Sequence, residues 1–293
     1  MNKGSYLIFL GFVVCACNSS STDKKSTAEN QPQSTRQESL EPFADSLVRL
    51  NKFAPESLNK AAGYYANLVP ADSSLADSAA VLFLQHLSSV VDTVNQSLFQ
   101  DTTDYSNLVY NNNPNVPEKQ KAFQQHLQAN HINLQGDGEG GVYAVADYDW
   151  VNSVLQSKTS SAVDQYLSLL SKEEKTPALL DAGLAIEITD LADRLISSEE
   201  LAKRNLPGRF SEHAAQLNQF YTNTLLFGSD NSPALDYNSV ALTDEFKKGY
   251  DYLLSTYPAS GAAKLVSEWQ EVIKSKNNKK VQEWRQKFLP NYD

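Results

Sequence analysis

Phe83, Leu87, Val90 and Val94 recur at steps of 4, 3 and 4, with Leu84, Val91 and Leu98 beside them. At 3.6 residues per turn this spacing gathers the apolar side chains into one broad stripe, whereas a strand would divide them between two faces. The core must therefore be built from helices. Leu184, Ile188, Leu191 and Leu195 repeat the 4, 3, 4 step and predict a second long helix over 182–205. Shorter helices are expected at 42–51, 56–68, 117–130, 149–156, 161–172, 210–227, 243–256, 261–275 and 278–288. The fold class that results is all-α, with helical hairpins packed in one body at 42–293 and one small β-hairpin near 132–146. Lobes at 42–157 and 160–293 are a possible subdivision.

Three prolines punctuate this pattern. Seven residues after Pro55, Pro207 and Pro258 stand Ala62, Ala214 and Leu265, and seven further on stand Val69, Tyr221 and Val272. A proline ends one helix and starts the next at no cost, because the first turn leaves its N–H groups unpaired in any case. Each site is expected to form a helical hairpin. The Tyr257-Pro-Ala-Ser260 turn resembles the turn between helix pairs of tetratricopeptide-type proteins, which implies stacked hairpins with a binding surface. The prolines are 152 and 51 residues apart, however, and do not share the period of about 34 that such repeats keep.

With 293 residues, 41% hydrophobic and 20% charged, the chain has ordinary globular composition. Its net charge of −10 repels phosphate backbones, which argues against nucleic acid as a partner and against electrostatic adhesion to anionic lipid, so any membrane attachment is expected to be covalent or apolar. Both cysteines, Cys15 and Cys17, lie at the start, so the body has no thiol for a disulfide, a nucleophile or a zinc site.

That start carries Lys3, an apolar run from Tyr6 to Ala16, and then small and polar residues. The run is too short for a bilayer span of about 20 residues and suits the core of a signal peptide. Val14-Cys15-Ala16-Cys17 resembles the lipobox of bacterial lipoproteins, with Val14 and Ala16 as the recognition residues and Cys17 as the lipid attachment site. The resemblance covers residues 1–17 and implies cleavage before Cys17, acylation there with fatty chains such as palmitate, and a cell-envelope address. Asn18 after the cysteine implies the outer membrane. Residues 18–41 are rich in Ser, Thr, Gln, Lys and Glu and read as a flexible tether.

Within the body, Gly136-Asp-Gly138-Glu-Gly-Gly141 matches G-x-G-x-x-G in letters. A dinucleotide loop needs a helix directly after it and amides free of competing anions, yet here Val142 to Val145 read as a strand, and Asp137 and Glu139 supply the anions. A calcium loop opened at Asp137 would place Gly141, Val142 and Tyr148 where an oxygen ligand, a glycine and a glutamate are required. A β-hairpin remains, with Asp147 or Asp149 capping the helix after it, and Tyr143, Tyr148 and Trp150 flanking a possible recognition loop.

Ser57-Leu-Asn-Lys60 and Ser229-Asp-Asn231 match two motifs of penicillin-interacting serine enzymes, but the third motif, K-T-G, is missing. His86, His126, His131 and His213 show no metal-ligand spacing, and Glu187, Asp190 and Asp193 read as a solvated helix face with an Asp190–Arg194 pair. No metal, no cofactor and no catalytic set is assigned. The expectation is a lipid-anchored envelope protein, reached by membrane through its lipid, that binds or scaffolds a protein or glycan. The alternative is an envelope hydrolase whose site assembles only in the fold.

Overall fold

The computed structural model describes residues 34–68, 72–110, 115–204, 206–236 and 241–288. The leader with Val14, Ala16 and Cys17, and the tether up to residue 33, lie outside the described residues. In chain order come helices α1 (Ser34–Val48), α2 (Ser57–Ala66), α3 (Ser73–Gln100), α4 (Ser106–Val109) and α5 (Glu118–Gln128). Strands β1 (Ile132–Gly136) and β2 (Val142–Ala146) follow, then α6 (Tyr148–Leu155) and α7 (Ser161–Lys175). Strands β3 (Leu179–Leu180) and β4 (Gly183–Leu184) precede α8 (Ile188–Ala202), α9 (Arg209–Phe227), α10 (Asp244–Thr256), α11 (Gly261–Lys274) and α12 (Asn278–Arg285). The fold is mostly α, with a small antiparallel hairpin where one was expected.

α3 is the axis of the first half. Its stripe buries Phe83, Leu84, Leu87, Val90 and Val94, while Val91 and Leu98 pack partly buried against the core. Asp72 opens the helix by accepting from the Leu75 amide at 2.9 Å, an N-cap of the kind that contributes about 1 kcal/mol. α1 and α2 pack against it on one side, and β2 crosses it where Asn95 brackets Ala144, its Oδ1 accepting from the Ala144 amide at 2.7 Å and its Nδ2 donating to the Ala144 carbonyl at 2.9 Å. Asp147, not Asp149, caps α6 through the Trp150 amide at 3.0 Å.

The proline sites do form helical hairpins: α1–α2 at Pro55, α8–α9 at Pro207 and α10–α11 at Pro258. Ala214 and Tyr221 are fully buried, and Ala62, Leu265 and Val272 are partly buried; Val69 lies outside the described residues. α10 lies on α8, so the second and third hairpins stack. At the Pro258 turn, Ser260 caps α11 through the Ala263 amide at 3.0 Å, and Glu199 of α8 reaches across to accept from the Gly261 and Ala262 amides, both at 2.9 Å. One hydrophobic cluster runs from Phe43 through Phe83 and Leu167 to Trp269 and Trp284.

Three expectations need correction. α1 begins at Ser34 and runs through Pro42, so residues 34–41 are helical where a tether was expected; Leu40, Phe43 and Leu47 form its apolar stripe, and α1 packs on α3. The helix expected from 182 starts at Ile188, because Leu179–Leu180 and Gly183–Leu184 fold into a two-residue-turn hairpin and Leu184 belongs to its strand. α4, a single turn, was not anticipated.

Candidate functional site

The glycine loop is the centre of a cluster of three loops. Asp137 Oδ1 accepts from the Glu139 and Gly141 amides, both at 2.8 Å, so the loop folds around its own carboxylate. A phosphate would have to displace that carboxylate from the Glu139 and Gly141 amides. Tyr110 fills the space beneath, its hydroxyl accepting from the Gly138 amide at 3.0 Å and lying 3.2 Å from the Gly141 carbonyl. A side chain at Gly136 would run into the Tyr110 ring. Gly138, at φ +89°, sits where a Cβ would come within 2.8 Å of the Asp181 Cβ. The tip of the first β-hairpin thus rests on the turn of the second.

That second turn is strained. Asp181 and Ala182 adopt φ of 48° and 52°, the left-handed region that costs an L-residue about 1–2 kcal/mol. The segment after α9 holds it there: the Asn231 amide donates to the Ala182 carbonyl at 2.9 Å, its Nδ2 donates to the Asp181 carbonyl at 2.5 Å, and Ser232 Oγ accepts from the Leu184 amide at 2.9 Å. Ser229-Asp-Asn231, read as a possible enzyme motif, is therefore a clamp on a β-turn. Glu139, Asp181 and Asp230 are exposed on this cluster beside Leu180.

The three aromatic residues that flank the loop in sequence are separated by the fold. Tyr143 stays with the hairpin, its hydroxyl donating to Gln135 Oε1 at 3.3 Å. Tyr148 and Trp150 turn toward the core; Trp150 stacks on His131 with centroids 3.9 Å apart and tilts against Phe83 at 5.9 Å. Below the strands, Asn133 Nδ2 donates to Glu174 Oε1 at 3.2 Å and Gln135 Nε2 to the Glu174 carbonyl at 2.6 Å. Burial, with Asp147 and Asp149 nearby, raises the Glu174 carboxyl above its ordinary range, and the same burial beside Glu174 pushes Tyr148 up to about 12.

Several polar pairs at long sequence range were invisible to motif reading. Ser57 does not face Lys60 chemistry; its Oγ lies 2.9 Å from His86 Nε2, and burial lowers that imidazole's pKa, keeping it neutral. His213 meets the Tyr166 hydroxyl at 2.5 Å, with burial lowering its pKa to about 4. Asp193 accepts from Tyr252 and Tyr257 at 2.9 and 2.8 Å through one oxygen.

The helix face read as solvated is in part buried. Arg194 is 2% exposed and donates to Glu173 Oε2 at 2.7 Å, Asp190 Oδ2 at 2.9 Å, and the Thr176 carbonyl and hydroxyl at 2.8 Å each. Tyr221 adds its hydroxyl to Glu173 Oε2 at 2.8 Å. The Asp190–Arg194 pair is present as expected, with Asp190 partly exposed, but Arg194 is buried and its bonds to Glu173 and Thr176 tie α8 to α7, while Tyr221 ties α9 to the same Glu173. Glu187 is a surface charge, 3.2 Å from Lys248.

Comparison of the chain with family models, characterised proteins and solved structures finds no match. Among the described residues, no group of three or more His, Cys, Asp or Glu is arranged to hold a metal ion.

Proposed function

We propose that the protein is a lipid-anchored component of a bacterial cell envelope that binds or scaffolds a protein or glycan through its three-loop end. The reading joins two features. The lipobox-like Val14-Cys15-Ala16-Cys17 would attach the chain to a membrane through Cys17. The loops of residues 136–141, 180–183 and 228–232 would present Glu139, Asp181, Asp230 and Leu180 on backbone held by the Asn231 clamp. That clamp is the observation that carries the binding reading, because a strained turn kept rigid by a neighbouring loop presents its groups in fixed geometry, which reduces the entropy lost on binding. Exposed carboxylates beside an apolar residue suit lysine side chains or sugar hydroxyls.

An envelope hydrolase is the second reading, and the Ser57–His86 pair is the observation in its favour. Ser57 is only 4% exposed, and its own amide bonds the Ala54 carbonyl, so its hydroxyl is shielded from a substrate and its amide is not free to stabilise an oxyanion. A photo-crosslinking residue placed at Glu139 in cells distinguishes the two. The binding reading expects a discrete adduct from Glu139 that is absent when the same residue replaces the exposed Lys121 of α5. Identical products from both positions, or none, contradict it.

A further inference from the structure

Six of the chain's 25 lysines and arginines lie between residues 274 and 288, against one of its 35 carboxylates. They are Lys274, Lys276, Lys279, Lys280, Arg285 and Lys287, with Glu283 the lone acid. The stretch is anchored from below. Val281 and Trp284 of α12 are buried, Trp284 stacks on Trp269 of α11 with centroids 4.8 Å apart, and Phe288 lies 4.5 Å from Trp284. Asn277 caps α12 through the Lys280 amide at 3.2 Å, and Lys276, at φ 50°, turns the chain from α11 into it. The cations thus stand on a fixed helix with an aromatic floor.

Three of the six are engaged. Lys274 pairs with Glu271 at 2.7 Å, Lys279 with Glu283 at 3.7 Å, and the Arg285 guanidinium lies 5.4 Å from the centre of the Phe227 ring. Lys276, Lys280 and Lys287 are exposed, and no ion pair involves them among the described residues. The overall −10 therefore conceals a charge asymmetry, with a basic end on an acidic body.

We propose that this end docks on the anionic phospholipid headgroups of the membrane that holds the protein. The inference rests on the anchored reading for why the surface meets lipid at all. Each lysine close to an anionic leaflet is attracted to it within a screening length of about 10 Å at 0.1 M salt. The acidic remainder is repelled over the same distance, so the two signs together orient the body. The chemistry favours lipid over a nucleic-acid strand. The set is five lysines to one arginine, point charges suited to diffuse attraction, whereas paired phosphate recognition draws on arginine forks. Its tryptophan is buried and offers no platform for bases.

The test uses the full chain with Cys17→Ser, floated with vesicles of phosphatidylcholine alone or mixed with phosphatidylglycerol. The proposal expects preferential recovery on the mixed vesicles, lost on raising the salt and reduced at least about tenfold by K276E/K280E/K287E. The neutral set K276Q/K280Q/K287Q, checked for an unchanged melting curve, must reduce it as well. Glu283→Gln, which releases Lys279, must increase it, an effect that misfolding cannot imitate. Equal recovery of the unaltered patch on both vesicles overturns the proposal. So does retention on heparin without any vesicle preference, which would assign the patch to a soluble polyanion. Because Cys17 is replaced in every arm, an absence of natural lipid on that cysteine would refute the anchor and leave the vesicle result standing.

Discussion

Arg194 and Glu174 show how differently two charges can be tolerated inside one fold. Arg194 is enclosed by Glu173, Asp190 and Thr176, so its burial cost is offset by hydrogen-bonded partners. Arg194→Ala would strand Glu173, whose side chain is 16% exposed, and should cost about 3–5 kcal/mol in urea unfolding. A loss below about 1 kcal/mol would show that water reaches the site. Glu174 is half-buried near Asp147 and Asp149, and its folded pKa lies above the ordinary glutamate value of 4.5. It therefore binds its proton more tightly folded than unfolded. Its contribution is favourable below 4.5 and is withdrawn as pH rises through the raised folded value. Glu174→Gln keeps an acceptor for Asn133 and should melt above the parent at neutral pH, with the difference vanishing in acid. A lower melting temperature at neutral pH would contradict that. Arg194 could have been read correctly from its spacing: Leu191, Arg194, Ser198 and Leu201 step by 3, 4 and 3 along the buried face of α8. Its partner Glu173, on the preceding helix, could not, because side-chain pairing across 21 residues leaves no periodic signal.

Among the elements, legibility followed the strength of the period. The stripe of α3, the three proline hairpins and a capping aspartate before α6 all emerged from local spacing and turn chemistry, whereas the Ser260 cap of α11 did not. The start of α8 did not, because Leu184 stands four residues before Ile188 and mimics a helical turn while belonging to β4. The turn between β3 and β4 wants residues at ease with positive φ, usually Asn-Gly, and holds Asp181-Ala182 instead. Ala182→Gly relieves a strain of about 1–2 kcal/mol at the expense of about 0.5–1 kcal/mol of chain entropy, so a modest gain in stability is expected from denaturant titration. A loss would mean that the Ala182 methyl contributes packing worth more than the strain. The three-loop site itself was only half legible. Its glycines announced a turn, but the contact of Gly138 with Asp181 and the Asn231 clamp are tertiary.

At the scale of the molecule, a continuous core joins residues that the sequence permits to be two lobes. Trp150 reports on the first half and Trp269 and Trp284 on the second, all three in or against that core. One cooperative transition is expected, with tryptophan fluorescence and circular dichroism coincident; separated midpoints would support the lobes at 42–157 and 160–293. In the proposed reading the leader would hold this body on a membrane, α12 would face the lipid and the three-loop cluster would meet a partner, although Arg285 of α12 packs on Phe227, directly before the 228–232 loop. The proposed membrane address depends on Cys17. Mass spectrometry of the N-terminal peptide from the native protein tests it most directly. The account predicts a chain that begins at Cys17 and carries thioether-linked diacylglycerol; an unmodified thiol at that position, or an intact residue 1–17 leader, would contradict it.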